Sequence, residues 1–154
     1  MANTQAFCNS AKVELMSGNM ALGTCDQTRT ISNKDTFKAA LYEVTAGDKD
    51  KDTTVYNTTG EVSGTGYTPG GEAVTNGTEP VINADSGCWT PSASILYSTV
   101  TLTTDFNAVL IYNDSWSTKY ALSVHTFGTQ TVTAGNFTLT MPANTAGNAL
   151  VELG

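Results

Sequence analysis

Apolar and polar positions alternate through the second half of the chain, which is the spacing of strands with one buried face. Residues 88–104 begin with Cys88-Trp89 and continue through SILYSTVTLTT, where odd and even positions from Ile95 onward alternate as in one strand with a single dry face. Three more strand-like segments follow in a row, joined by short polar turns, at residues 107–112, 120–127 and 136–141. The continuous apolar run Val109-Leu110-Ile111 indicates that the first of the three is a central strand.

The first half predicts one helix and several shorter strands. Residues 4–16 are predicted to be helical, because Phe7, Ala11 and Leu15 fall on one stripe, and Gly18 is placed to end the helix. Strands are predicted at residues 36–44, 72–75 and 80–83, with a last edge strand at 149–153. Five glycines and a proline between residues 55 and 71 favour an ordered loop, pinned to the core by apolar side chains.

These elements predict a mainly β fold. We expect one domain, residues 1–154, formed by an antiparallel β-sandwich of the jelly-roll or immunoglobulin-like kind with the short N-terminal helix at about residues 4–16. Thr is the commonest residue, and its branched side chain suits a pleated surface.

The charge of the chain argues against nucleic-acid binding. Only 14 % of the 154 residues are charged and the formal net charge is −7. Clustered Lys and Arg are needed to bind phosphates, whereas the seven basic residues here are scattered and Arg29 is the only arginine. Residues 86–154 hold three acids and one base. That neutrality fits either a β core with Thr and Ser facing water or a face that is covered in an assembly.

Neither the cysteines nor the N-terminus indicates export. Cys8, Cys25 and Cys88 are too irregularly spaced for a disulfide framework or a zinc site, so free buried thiols are expected. The N-terminal residues carry no basic segment followed by an apolar run, which predicts that no signal peptide is present. No window is apolar enough to span a membrane. We therefore expect synthesis in a reducing cytoplasm.

Groups capable of catalysis are few and scattered. His125 is the only histidine and lies in a predicted strand, where a structural role is expected. Asp48, Asp50 and Asp52 resemble the start of a calcium loop, but Thr53 and Thr59 replace the required Gly and Glu, so a solvated loop is favoured over weak calcium binding. The chain is predicted to be non-enzymatic, with no cofactor and no metal.

Aromatic residues are better candidates for a functional surface. Trp116 lies in the predicted turn NDSWSTK, where a large ring has no evident intramolecular partner. Tyr67 and Trp89 are the other two candidates for a protein interface, although packing inside the fold is the favoured alternative for Trp89.

Several motifs resemble a family of small virion structural proteins of tailed bacteriophages. They are MANTQAFCNSAKVELMSG with DTFKAALYEV, then TTGEVSGTGYTPGGEAV, then NAVLIYNDSWSTKYALSVHTFGTQTVTAGNFTLTMP. The resemblance covers most of the chain in the same order. It implies a small β-rich subunit attached to the virion.

Together, the residues and the resemblance predict a capsid decoration or cement protein that binds the major capsid protein or another virion protein. A homo-oligomer is expected, with a trimer favoured at local three-fold positions. We expect it on the outer capsid surface of the virion, with neck, tail or head-fibre placement as variants. The alternative from another class is a carbohydrate-binding or host-adhesion module.

Overall fold

The chain folds into three antiparallel sheets and one short helix, seen in a computed structural model that describes residues 4–16, 18–23, 34–47 and 49–154. The prediction of a mainly β, antiparallel fold with one short helix is confirmed. The helix, α1, is Asn9–Met16. The strands, in chain order, are β1 Thr4–Phe7, β2 Phe37–Glu43, β3 Gly64–Thr65, β4 Glu72–Val74, β5 Val81–Asn83, β6 Ser86–Trp89, β7 Ile95–Leu102, β8 Phe106–Asn113, β9 Ala121–Gln130, β10 Gly135–Leu139 and β11 Val151–Leu153.

The largest sheet has five strands in the order β1-β9-β8-β2-β4. Its centre is β8, in which Val109, Leu110 and Ile111 are fully buried. The apolar run of these three residues was the sequence signal for a central strand, and that prediction is confirmed. Both neighbours of β8 pair with it along most of its length, so the middle of the sheet contributes the largest continuous block of the core.

Two three-stranded sheets complete the fold, in the orders β10-β7-β3 and β11-β6-β5. The first packs on the large sheet: the ring of Phe137 meets that of Phe106 edge-on at 4.9 Å, and the Tyr97 hydroxyl donates to the Ala39 carbonyl at 2.7 Å. The second contributes Trp89, whose ring centroid lies 5.8 Å from that of Phe37. Buried side chains from all three sheets form one cluster, as in a β-sandwich-like fold.

The prediction of one regular strand through residues 88–104 is wrong in two respects. The first is a break: β6 and β7 belong to different sheets, and Pro91 between them has no N–H to continue a ladder. Ser92 instead bonds across to the Thr75 carbonyl through both its amide and its hydroxyl.

The second error concerns the dry face of β7, which changes sides at Ser98 and Thr99. These two residues lie opposite Asn136 of β10 alone, so they form a β-bulge, and Thr99 has a φ of +52°. The Asn136 side-chain oxygen accepts a bond from the Thr99 amide at 2.8 Å. As a result, the buried residues switch from Ile95 and Tyr97 to the even positions 100 and 102.

The predicted start of the helix is also wrong, because residues 4–7 form β1 and pair with β9 from Thr4↔Thr126 to Phe7↔Ser123. This pairing satisfies backbone groups along the edge of β9 and outweighs the local helical stripe. Gly18 does end the helix: it has a φ of +73° and its amide bonds to the Leu15 carbonyl, while the Asn19 amide bonds to the Glu14 carbonyl. Within the described residues, no helix is long and apolar enough to cross a membrane.

Candidate interaction site

The three aromatic candidates occupy different environments. Tyr67 exposes 7 % of its surface and Trp89 only 1 %, and both belong to the buried cluster. The Trp89 indole N–H donates to the Thr78 carbonyl at 3.2 Å, so its polar atom is satisfied inside the subunit. Trp116 is 44 % exposed. Of the three, Trp116 is therefore the one whose side chain is accessible on the surface of the fold.

Trp116 lies in the turn that joins β8 to β9. The Lys119 amide donates to the Trp116 carbonyl at 3.1 Å, which closes the turn, and Lys119 itself has a φ of +54°. The Lys119 ammonium contacts the Asp114 carboxylate at 2.5 Å and the Asp114 carbonyl at 2.9 Å. Lys38 of β2 approaches the same carboxylate at 3.4 Å. Partial burial alone would raise the pKa of Asp114, but the Lys119 hydrogen bond and the Lys38 charge hold it below the usual value.

The base of the turn is held by a second set of bonds. The Asn113 side chain donates to the Asp35 carboxylate at 2.7 Å and accepts from the Ser115 amide at 2.9 Å. The Ser115 hydroxyl in turn accepts from the Thr36 amide at 2.9 Å. Because these bonds tie the end of β8 and the turn to residues 35 and 36, the backbone beside Trp116 is held in place by the chain itself. Such preorganisation reduces the entropy lost on binding.

Tyr67 belongs to a cluster of tyrosines centred on Glu61. One carboxylate oxygen of Glu61 accepts from the Tyr67 hydroxyl at 2.6 Å and from the Gly70 amide at 2.7 Å, and the other accepts from the Tyr56 hydroxyl at 2.6 Å. The Tyr67 oxygen also accepts from the Leu41 amide of β2 at 3.1 Å. Burial, and then the hydrogen bond to Glu61, raise the pKa of Tyr67 far above its usual value. The cluster ties the glycine-rich loop to the large sheet.

The glycines of this loop explain how it approaches the sheet so closely, as the prediction of an ordered loop requires. Gly71 has a φ of +79°, and a Cβ atom built there would collide with the Ala39 carbonyl of β2. Only glycine combines that backbone angle with that proximity. The loop therefore packs as part of the core.

His125 lies in the interior of the large sheet, beside Val109 of β8 and Gln5 of β1 in the register. Its Nε2 atom lies 3.4 Å from the Ser123 hydroxyl. Burial lowers the pKa of His125 to about 4, so the imidazole is neutral at physiological pH. Burial between strands is the environment that a structural role requires.

In the loop that resembles half a calcium site, the carboxylates of Asp50 and Asp52 bind groups of the protein itself. Asp50 accepts from the Asp52 amide at 2.8 Å, and Asp52 binds the Lys51 ammonium at 2.5 Å and the Asn9 side chain at 2.9 Å. Asp48 lies outside the described residues. Among those that are described, no three His, Cys, Asp or Glu side chains are grouped closely enough to hold a metal ion.

Two of the three cysteines, Cys8 and Cys88, are free and buried, as expected. Burial raises the pKa of the Cys8 thiol to about 12, with a smaller effect from Asp50, so it is an unreactive packing residue. Cys25 and Arg29 lie outside the described residues.

One exposed apolar region escaped the sequence analysis. On the sheet β11-β6-β5, Ile82 is 88 % exposed and Leu153 57 %, and each is a register partner of Gly87. A groove of about 450 Å³ adjoins this sheet and is lined mainly by apolar side chains, among them Leu15, Met20, Leu22, Trp89 and Val151. The sequence predicted a strand at residues 80–83, but it does not indicate which face of that strand remains exposed in the fold.

Known proteins offer no independent guide to the role of these surfaces. No protein-family model, no curated protein and no solved structure matches the chain.

Proposed function

We propose that the chain is a non-enzymatic bacteriophage virion structural protein that decorates the outer capsid by binding the major capsid protein. The observation that carries the proposal is the resemblance of several motifs, in the same order, to small virion structural proteins. The motifs cover β1 and α1, then β2, then the glycine-rich loop with β3 and β4, and finally the continuous stretch from β8 to β10 that includes the Trp116 turn. They thus coincide with elements of the five-stranded sheet and of the sheet β10-β7-β3.

The physical character of the subunit supports this role. A net charge of −7 keeps an isolated subunit soluble and favours a place outside the shell, away from packaged DNA. Rigid sheets supply fixed faces, and the turn at Trp116 presents an aromatic ring on a backbone that is already ordered. Large aromatic side chains of this kind commonly dominate the energy of protein interfaces. A cement protein needs binding energy between neighbouring capsomers, and no turnover.

The test is the retention of a Trp116→Ala variant on purified capsids of the phage that encodes the chain. We expect at least a tenfold loss of affinity, since a central aromatic anchor contributes about 2 kcal/mol or more, together with lower heat resistance of the shell. Leu96→Ala is the matched control, because Leu96 is about as exposed but lies on another sheet. Unchanged occupancy and heat resistance would remove Trp116 from the interface.

The placement itself is tested separately by a cryo-electron density map of the intact virion. Density for the subunit on the outer capsid face supports decoration. Density at the neck, tail or a head fibre assigns the variant placement, and a virion without the subunit contradicts the proposal.

A carbohydrate-binding or host-adhesion module is the second candidate, and the half-exposed Trp116 ring is the feature that favours it. An aromatic face on a rigid turn can stack on a sugar ring. Reproducible binding to one sugar class on a glycan array, abolished in Trp116→Ala and retained in Trp116→Phe, would support this function over decoration.

A further inference from the structure

Asn76 and Gly77 form the only Asn-Gly sequence in the chain, and they lie in the connection between β4 and β5. An asparagine followed by glycine can lose its side-chain amide without an enzyme, because glycine has no Cβ atom to keep its backbone nitrogen away from the preceding side chain. The reaction requires that nitrogen to reach the Asn76 Cγ atom. The bonds that the two residues make in the fold therefore decide how readily it proceeds.

Gly77 is fixed by Ser92, which lies in the connection between β6 and β7. The Gly77 amide donates to the Ser92 Oγ atom at 3.1 Å, and that hydroxyl donates to the Thr75 carbonyl at 3.0 Å. The Ser92 amide donates to the same carbonyl at 3.0 Å, so Ser92 is held in place. A Cβ atom built on Gly77 would lie only 2.7 Å from the Ser92 Oγ atom. Packing against Ser92 thus favours a glycine directly after Asn76.

The Asn76 side chain is held by its amide nitrogen. Its Nδ2 atom donates to the Asp35 carbonyl at 3.0 Å, whereas its Oδ1 atom is buried and accepts from none of the described residues. Turning the amide over would set Oδ1 against the Asp35 carbonyl, with two acceptors in contact, so the bond to Asp35 selects the orientation. A donor on Oδ1 would stabilise the charge that develops there when Cγ is attacked, and the described residues supply none.

We propose that Asn76 is a site of spontaneous deamidation, and that the contact between Gly77 and Ser92 restrains the reaction while the chain is folded. The Gly77 nitrogen gives up its proton to water and forms a bond to the Asn76 Cγ atom. The bond between Cγ and Nδ2 breaks, and Nδ2 takes up a proton and leaves as ammonia. Water then opens the succinimide ring, which leaves an aspartate or an isoaspartate at position 76. Water is the only co-reactant, and nothing is oxidised or reduced.

The restraint follows from the two bonds that hold this pair of residues. While the Gly77 N–H donates to Ser92, the nitrogen keeps its proton, and the lone pair that loss of the proton would expose points toward Ser92. The bond to the Asp35 carbonyl keeps the Asn76 side chain from turning toward Gly77. Both bonds must open before Cγ is attacked, so the reaction proceeds from a locally opened chain.

The product weakens the fold at a defined place. A carboxylate at position 76 has no N–H for the Asp35 carbonyl, so an acceptor with a new negative charge faces another acceptor. The Asp35 carboxylate also accepts from the Ala21 amide at 2.8 Å and from the Asn113 side chain at 2.7 Å, so the change reaches the base of the Trp116 turn. This inference goes beyond the proposed function and does not depend on it, because it concerns the chain alone.

The first test follows the acid formed at position 76 in the folded, full chain at mildly alkaline pH, by peptide mapping and mass spectrometry. We expect Ser92→Ala to deamidate about fivefold faster than the unmodified chain, because a hydrogen bond of about 1 kcal/mol holds the closed form. Ser94→Ala is the matched control, since Ser94 lies in the same connection and its hydroxyl accepts from the Met141 amide instead. Equal rates in the three chains would overturn the restraint.

The second test examines the reaction itself in the chain unfolded by guanidinium, where packing does not contribute. We expect deamidation at position 76 to be at least about tenfold faster there than in the folded chain, because every molecule is open. Gly77→Ala should slow the reaction of the unfolded chain by about tenfold, because its Cβ atom hinders the backbone nitrogen. Absence of the acid at position 76 after unfolding, or equal rates in the folded and the unfolded chain, would contradict the proposal.

The third test measures the effect of the product with Asn76→Asp, which carries the same side chain as the aspartate product. We expect its urea midpoint to be lower than that of Asn57→Asp. The control adds the same charge at an exposed residue whose side-chain oxygen still accepts from the Thr59 amide. Equal midpoints would show that the bond between Asn76 and Asp35 does not stabilise the fold.

Discussion

His125 is predicted to make the stability of the fold depend on pH in a way that a single substitution removes. In the folded chain the imidazole is buried and its pKa is about 4, whereas an exposed histidine has a pKa of about 6.5. The informative change is His125→Gln, which keeps a polar side chain of similar length but has no proton to gain in this range.

The sign follows from which state binds the proton. Below pH 6.5 the unfolded chain protonates at His125 while the folded chain does not, so falling pH favours unfolding. The stabilisation is fully present above pH 6.5 and is lost as the pH falls toward 4. The whole shift of the His125 pKa between the unfolded and the folded chain corresponds to about 3 kcal/mol in the free energy of unfolding. About 2 kcal/mol of it is lost by pH 5.

The assay is urea unfolding of both proteins at pH 8 and pH 5. We expect the free energy of unfolding of the native chain to fall by about 2 kcal/mol more than that of His125→Gln between these two values. Carboxylates also titrate here, but they are the same in both proteins and cancel in the difference. Because His125 is the only histidine, its imidazole resonance can be followed directly by NMR.

Two results would refute the reasoning. Parallel loss of stability in the two proteins would mean that His125 titrates alike when folded and unfolded. An NMR titration midpoint near 6.5 in the folded chain would mean that water reaches the ring, and that burial in the large sheet does not disfavour its charge.

Two further substitutions test other parts of the fold. Glu61→Gln should lower the free energy of unfolding by about 2 kcal/mol, because it removes the charged group that accepts hydrogen bonds from two tyrosines. Glu43→Gln is the control: the Glu43 carboxylate accepts only from exposed threonines among its described bonds, so this change should alter the free energy of unfolding by less than about 0.5 kcal/mol. Equal effects in urea unfolding would contradict the role given to Glu61. Thr99→Gly should raise the free energy of unfolding by roughly 0.5–1 kcal/mol, and with it the melting temperature, because Thr99 has a positive φ that glycine adopts without strain. Ser98→Gly, in the same bulge, is the control and should lower the melting temperature. A lower melting temperature in both variants would show that the backbone at Thr99 is unstrained.

The order of apolar and polar residues within a strand was sufficient to predict β8 and β10. β8 was predictable because Val109-Leu110-Ile111 can be buried on both faces only in the middle of a sheet. β10 was predictable because Phe137 and Leu139 alternate with exposed threonines. In both cases the information lies within a few neighbouring residues.

The predictions were wrong for two segments whose conformation depends on residues far away in the sequence. Residues 4–7 have helical spacing, but their pairing with β9, more than a hundred residues away, makes them a strand. The bulge at Thr99 depends on the side chain of Asn136. No pattern around either position could reveal its partner.

The candidate site was only partly predictable for the same reason. Trp116 was recognised because a large ring in a short polar turn has few neighbours to pack against. Tyr67 looked similar in sequence, but the Glu61 carboxylate and the Leu41 amide draw it inside. The exposure of Ile82 depends on how three short strands assemble, and that is a property of the whole fold.

The Glu61 cluster divides an irregular loop into positions that tolerate change and positions that do not. Besides the short pairing of β3 with β7, the loop is held by the Glu61 carboxylate and by a few anchors at residues 61, 67, 70 and 71. Thr58 and Thr59, just before the first anchor, are exposed, whereas the exposed Ser63 and Thr65 are tied by backbone pairing or hydrogen bonds to residues 103 and 101. We therefore expect a peptide tag or a reactive group to be tolerated best at Thr58 or Thr59, where new chemistry can be added to the chain without disturbing the anchors or β3.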